Sequence, residues 1–160
     1  MSIQNVKAEV DSERSGELLE SKSSLAESII EQIADAVIYA DTTGTIRRWN
    51  HAAVALFGYD AAEALGQNLD LIIPEHLRAA HWRGFEAAMS SGAMKLQGRP
   101  TLTRAAHKTG RKIYVEMTFA LVKGEPEGPT HGAVAVARDV TERIEQQRAS
   151  ARSDNPKAPS

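Results

Sequence analysis

Five histidines and no cysteine set the chemistry open to this 160-residue chain. Without a thiol there is no disulfide, no thiolate metal site, no cysteine nucleophile and no cofactor attached through sulfur. The segment Leu71-Ile72-Ile73-Pro74-Glu75-His76-Leu77-Arg78-Ala79-Ala80-His81 is the richest in reactive groups. Pro74 suits the first turn of a helix. Ile73, Leu77, His81, Phe85 and Ala88 then recur in steps of three or four. That spacing sets the His81 imidazole on the apolar stripe. A ring there can ligate a metal, hydrogen-bond inside a cavity or fill a core. Burial obliges something to take its ring nitrogens. His76 lies about 140° round the same helix, at roughly 100° per residue, and faces elsewhere. His51, His107 and His131 fall at a helix start, in a turn and at a strand start, a spacing that suggests no metal cluster. No nucleophile has a base beside it, and no nucleophile elbow, P-loop or dinucleotide fingerprint occurs. The chain is therefore expected not to be an enzyme.

The elements that must position His81 are legible on either side of it. Residues 1–17 are polar and aperiodic, residues 151–160 are polar, and both tails are expected to be disordered. Over residues 18–35 the spacing of Leu18, Leu25, Ile29 and Ile33 predicts an amphipathic flanking helix. Such a stripe suits a helix that covers its own domain or pairs with a second copy. Residues 36–40 and 45–50 flank Asp41-Thr42-Thr43-Gly44 and read as a hairpin. Asn50 can cap a helix over residues 51–57 that Gly58 stops. Asp60 and Glu63 have a capping-box spacing for a short helix ending at Gly66. The long helix runs from Pro74 to about Ser90. Residues 94–106 and 111–123 alternate about a turn at His107-Lys108-Thr109-Gly110. Ile113, Val115, Met117, Phe119 and Leu121 share one face of the second run. Residues 131–138, rich in alanine and valine, form a further strand, and residues 141–150 an exit helix. Strands segregated from helices predict an α+β fold. It is a five-stranded antiparallel sheet covered on one face by helices, with ligand space between the layers.

Composition narrows the setting. Hydrophobic residues are 42% and charged residues 25%, a normal balance for one core. A formal net charge of −2 offers no basic face for nucleic acid. No apolar run approaches the roughly 20 residues that span a bilayer, so no membrane association is expected. Met1-Ser2-Ile3-Gln4-Asn5 lacks the basic and apolar regions of a secretory signal, and a cytoplasmic location is expected.

Four stretches in order resemble PAS domains. Asp41-Thr42-Thr43-Gly44-Thr45-Ile46 with Trp49-Asn50 looks like the opening hairpin. Phe57-Gly58-Tyr59 followed by Glu63-Ala64-Leu65-Gly66 looks like the short-helix region. Lys108-Thr109-Gly110-Arg111 looks like the turn between the long strands, and Asp139-Val140-Thr141-Glu142-Arg143 like the exit motif. Together they cover about residues 25–148. The resemblance implies a sensor domain over residues 36–140 that passes a signal to a partner protein through its flanking helices, as a homodimer. Blue-light flavin members and the coumarate photoreceptor rely on a cysteine, which this chain lacks.

The resemblance also bears on His81. In heme PAS domains of oxygen-sensing kinases and phosphodiesterases, a histidine seven positions after the helix-opening proline ligates the iron. Pro74 and His81 match that spacing. A neutral imidazole on an apolar wall is what a heme iron needs as its proximal ligand. This implies heme b and a diatomic gas, oxygen or another, as ligands, with Leu77, Phe85, Met117 and Phe119 lining the site. The kinases carry a gas-contacting arginine nine residues before the turn glycine. Here that position is Thr101, and Arg99 lies two residues earlier, expected on the same strand face. Met94 is a further candidate on that side. The helix positions that hold the propionates in the kinases fall near Ala87 and Met89, with Arg83 and Lys95 as nearby alternatives. A PAS domain binding a small organic metabolite, and a ligand-free PAS dimerisation module, remain open alternatives.

Overall fold

Alternation along one long strand decides which way the sheet faces. In the computed structural model, which describes residues 20–153, that strand is β4 (Lys112–Lys123). The expected disordered stretch 1–17, and residues 154–160 of the other, lie outside the described residues, as does Leu18. Ile113, Val115 and Met117 are buried, so they point into the core, and Tyr114, Glu116 and Thr118 point to the opposite face. On one side β4 pairs with β3 (Thr101–Ala106), on the other with β5 (Thr130–Asp139). The latter pairs with β1 (Ala36–Asp41), and β1 with β2 (Ile46–Trp49). Every pairing is antiparallel and the order is β2-β1-β5-β4-β3.

The helices fall where caps and breakers put them. Residues 20–32 form α1. On it Leu25 and Ile29, with Ile33 just past its end, make a stripe at steps of four, and all three are exposed. After β2 come α2 (His51–Phe57), α3 (Ala61–Ala64), a 3-10 turn (Leu69–Leu71) and α4 (Glu75–Ser91). Asn50 is wholly buried and caps α2 by accepting from the Ala53 amide at 3.0 Å. Its Oδ1 also accepts from the Val37 amide at 2.9 Å, and its Nδ2 donates to the Asp35 carbonyl at 3.1 Å. One side chain thus ties the start of α2 to β1. At α3 the Glu63 carboxylate accepts from the Asp60 amide at 2.9 Å. Finally α5 (Thr141–Ser153) follows β5, running three residues past the expected end at 150.

One expected strand is shorter in the structure. The alternating run at 94–106 becomes a strand only from Thr101. Pro100 has no amide to give a ladder. Before it, Gly98 turns the chain with a φ of +68, a conformation that favours glycine. Its amide donates to the Phe119 carbonyl at 3.1 Å, and the Arg99 amide to the Leu96 carbonyl at 3.0 Å.

The core is filled unevenly. Trp49, Ala53, Phe57, Ala64 and Ile72 pack with Ile113, Val115 and Ala105 at one end of the inner face. The Trp49 and Phe57 ring centroids are 5.3 Å apart there. Toward the other end, Phe119, Leu121, Ala133 and Ala135 are only half-buried. The backbone of α4 makes little contact with the strands.

Candidate functional site at helix α4

Two contacts place α4 across the open end of the sheet. Near its middle, Trp82 lies over the turn between β1 and β2. A Cβ added to Gly44 would fall 2.2 Å from the Trp82 ring, and Gly44 has a φ of +78. At its C-terminus, Gly92 sits beside Lys123 and Thr130, the end of β4 and the start of β5. The 3-10 turn anchors the helix between them. Trp82 Nε1 donates to Asp70 Oδ1 at 2.8 Å. Arg78 donates from Nη2 to the Asp70 carbonyl and from Nε to the Ile73 carbonyl, both at 3.1 Å. The Asp70 amide in turn donates to Asn68 Oδ1 at 2.9 Å.

On α4 the apolar stripe is borne out in part. Phe85 and Ala88 are buried, and Leu77 and His81 are half-buried. The His81 ring stacks on Phe85, with centroids 5.9 Å apart and planes at 26°, and meets the edge of Trp82 at 5.0 Å. Its Nδ1 is buried without a hydrogen-bond partner. Neither ring nitrogen is bonded among the described residues. Burial lowers the imidazole pKa below its ordinary value, and the Asp70 carboxylate nearby opposes that. Burial therefore favours the neutral form of the ring.

The wall available to this helix is built of small and apolar side chains. Cross-strand rows join Ala36, Ala137 and Met117, then Ile38, Ala135 and Phe119, then Ala40, Ala133 and Leu121. Alanine at every second position of β5 keeps the middle of the wall low. A cleft of about 410 Å³ opens beside Leu121, between Gly92, Gln97 and Lys123.

The other expected site residues divide. Met117 and Phe119 are on the inner face, and Thr101 joins the Met117 row from β3. Arg99 does not share that strand. It is exposed in the turn before Pro100, because the Gly98 turn ends the run expected to carry it. Met94 is half-buried in the same turn, and Arg83 and Lys95 are exposed. Among the described residues no cluster of three or more His, Cys, Asp or Glu residues could hold a metal ion. No helix of the described residues is long and apolar enough to cross a membrane. Sequence reasoning missed Asp70 and the alanine column. The column was readable as Ala133, Ala135 and Ala137 at period two, whereas Asp70 carries no local signal of its partner twelve residues on.

A second set of contacts leads out of the domain. The Tyr114 amide donates to Thr141 Oγ1 at 3.0 Å, and the Val140 amide to the Tyr114 carbonyl at 2.9 Å. Asp139 caps α5 by accepting from the Thr141 amide at 2.8 Å. Arg148 lies over the Tyr114 ring at 4.8 Å, and Arg143 donates to Glu116 at 3.1 Å.

An antiparallel sheet with helices over one face and an exit helix hydrogen-bonded to the sheet define an α+β domain with one inner and one outer sheet face. Residues 25–140 match the PAS fold family, and the chain belongs to it. PAS domains are sensory modules. The chain is 29% identical over 117 residues to the oxygen sensor protein DosP of Escherichia coli, covering 73% of this chain and 14% of that protein. It is 36% identical over 74 residues to the sensor protein FixL of Bradyrhizobium diazoefficiens, covering 46% of this chain and 15% of that one. The chain thus spans about one seventh of the length of these curated relatives. The PAS domain of a Colwellia psychrerythraea protein superposes with a TM-score of 0.65 at 22% identity, covering 79% of this chain and 99% of that chain.

Proposed function

We propose that this PAS module binds heme b through His81 and senses a diatomic gas, oxygen or another. The observation that carries the reading is the His81 ring on α4, stacked on Phe85, with a buried and unpartnered Nδ1 and a pKa lowered by burial. Heme b would supply an iron able to take a gas molecule, and one relative's name, an oxygen sensor protein, supports a gas as the signal. In this reading His81 holds the iron. Leu77 and Phe85 on the helix, and Met117, Phe119 and Thr101 on the sheet, exclude water from the macrocycle. The Trp82–Asp70 and Arg78 bonds keep α4 in place. A change in the pocket reaches α5 through the β4 and β5 contacts at Tyr114 and Asp139, a shift between two populated arrangements. The α1 stripe pairs with a second copy, and a partner protein in the cytoplasm reads the flanking helices. In domain terms, α1 is the flanking helix, residues 36–140 are the sensor and α5 is the exit helix.

Titration with hemin tests this directly. The wild type should take one equivalent and show a Soret band that shifts in His81→Ala. An unchanged band in the variant removes His81 as the ligand, and no band in either protein removes heme. The aromatic stack of His81, Trp82 and Phe85 would also hold a planar organic metabolite. Mass spectrometry of the denatured protein would then find that molecule in place of heme.

A further inference from the structure

Four side chains of alternating charge cross the outer face of the sheet. Asp35 precedes β1, its carbonyl held by Asn50 Nδ2 at 3.1 Å. Its carboxylate takes both arms of Arg138 on β5, with Nε donating to Oδ1 at 2.9 Å and Nη2 to Oδ2 at 2.8 Å. Arg138 stands directly opposite Glu116 in the β4–β5 pairing, a register that sets side chains close enough to interact. Arg143 of α5 then donates from Nη2 to Glu116 Oε2 at 3.1 Å. The Asp35 bonds first, and the Glu116 charge after them, raise the Arg138 pKa. From the strand that opens the sheet to the helix that leaves it, the signs run minus, plus, minus, plus.

The two inner members are shared. Arg138 lies between two carboxylates and Glu116 between two guanidinium groups. Exposed ion pairs singly add little stability. Sharing makes the strength of each depend on the others. Loss of the Asp35 charge leaves Arg138 to Glu116 alone, and Arg143 must then compete for that carboxylate. Loss of the Arg138 charge does the opposite and leaves Glu116 wholly to Arg143. We infer that this charge row couples the entry of the chain at Asp35 to the hold on α5 along the outer face, a route that bypasses the interior and stands apart from the heme reading. A displacement that strips Asp35 from Arg138 loosens α5, and by reciprocity release of α5 loosens Asp35.

Amide hydrogen exchange at Ile144 to Arg148 in the full chain, followed by NMR, tests the coupling. Asp35→Asn should accelerate it by about twofold, within the range of one exposed ion pair, although the bonds of Asp35 itself are to Arg138 and Asn50. Arg138→Gln should slow it or leave it unchanged. In an Arg143→Gln background Asp35→Asn should have no effect. At the far end, the Arg138 bonds hold the Asp35 carboxyl below its ordinary pKa. Arg143→Gln should raise that midpoint by about 0.3 pH unit, the same twofold, read from the carboxyl carbon. Arg47→Gln, which opens the separate pair with Asp41, should move neither readout. Three results overturn the inference. They are an unchanged α5 in Asp35→Asn, an equal effect without Arg143, and acceleration by Arg138→Gln as large as that by Asp35→Asn, which plain loss of stability would give. Should Asp35→Asn also accelerate exchange at Ile113 and Val115, the Asp35 midpoint in Arg143→Gln decides, and an unmoved midpoint sinks the coupling.

Discussion

Trp82 and Asp70 are joined by a 2.8 Å bond from indole to carboxylate that fixes α4 against the turn before it. The bond holds an element whose backbone makes little contact with the sheet. Trp82→Phe keeps the aromatic packing and deletes the donor. We expect a loss of about 1.5 kcal/mol in urea denaturation, the low end of the range for a hydrogen bond to a charged group, because the Asp70 carboxylate is partly exposed. A loss under about 0.3 kcal/mol would show that packing alone holds the helix.

Gly44 and Trp82 should prove coupled. Gly44→Ala forces a Cβ to 2.2 Å of the indole at a φ of +78, and we expect about 1–3 kcal/mol of destabilisation. In a Trp82→Leu background much of the clash disappears. The double mutant should therefore lose less than the sum of the singles by more than about 0.5 kcal/mol. Additive losses would assign the whole cost to the backbone.

Asp41 gives the domain an acid limb. Its carboxylate accepts from the Thr43 hydroxyl at 2.6 Å, the Thr43 amide at 3.0 Å, the Thr45 amide at 3.1 Å and Arg47 Nε at 2.7 Å. These bonds, the Thr43 hydroxyl foremost, outweigh burial and lower the pKa from 3.8 to about 2. A carboxyl more acidic in the folded chain stabilises it above the unfolded value and stops doing so as pH falls through the folded one. Asp41→Asn should therefore cost about 1–2 kcal/mol at neutral pH. The gap from wild type should close between pH 3.8 and about 2. A gap constant from pH 7 to 2 would exclude the titration.

Thr141 holds the exit helix to the sheet. Thr141→Val removes the acceptor of the Tyr114 amide while keeping the side-chain shape. Amide hydrogen exchange in α5 should accelerate by about fivefold, the equivalent of a lost hydrogen bond near 1 kcal/mol. Exchange at Ile113 and Val115 should hold. Uniform acceleration across both would indicate global destabilisation instead.

Local chemistry made much of this legible in the sequence. Asn50, the Asp60–Glu63 pair and the alternation of β4 act within a few residues, so spacing alone reveals them. The contacts that build the site are long-range. Asn50 reads as a cap, yet its bonds to Val37 and Asp35 cross thirteen and fifteen positions. Nothing in the neighbourhood of Gly44 announces Trp82. Arg99 was misplaced for a different reason. Alternation suggested a strand, and the Gly98-Arg99-Pro100 triplet overrode it by removing an amide and turning the chain. His81 was found because helical periodicity is local, and its spare lone pair emerges only when the surrounding fold fails to supply a partner.

The alanine column of β5 carries one more consequence. Methyl groups have no torsion with which to step aside, so this face of the sheet cannot reshape itself by changing rotamers. A longer side chain there would cushion an incoming molecule by rotating away. Pressure on Ala133, Ala135 or Ala137 instead meets main chain at once, and that main chain ends at Asp139, the cap of α5. The smallest side chains on this face of the sheet make it behave as a stiff lever rather than a cushion.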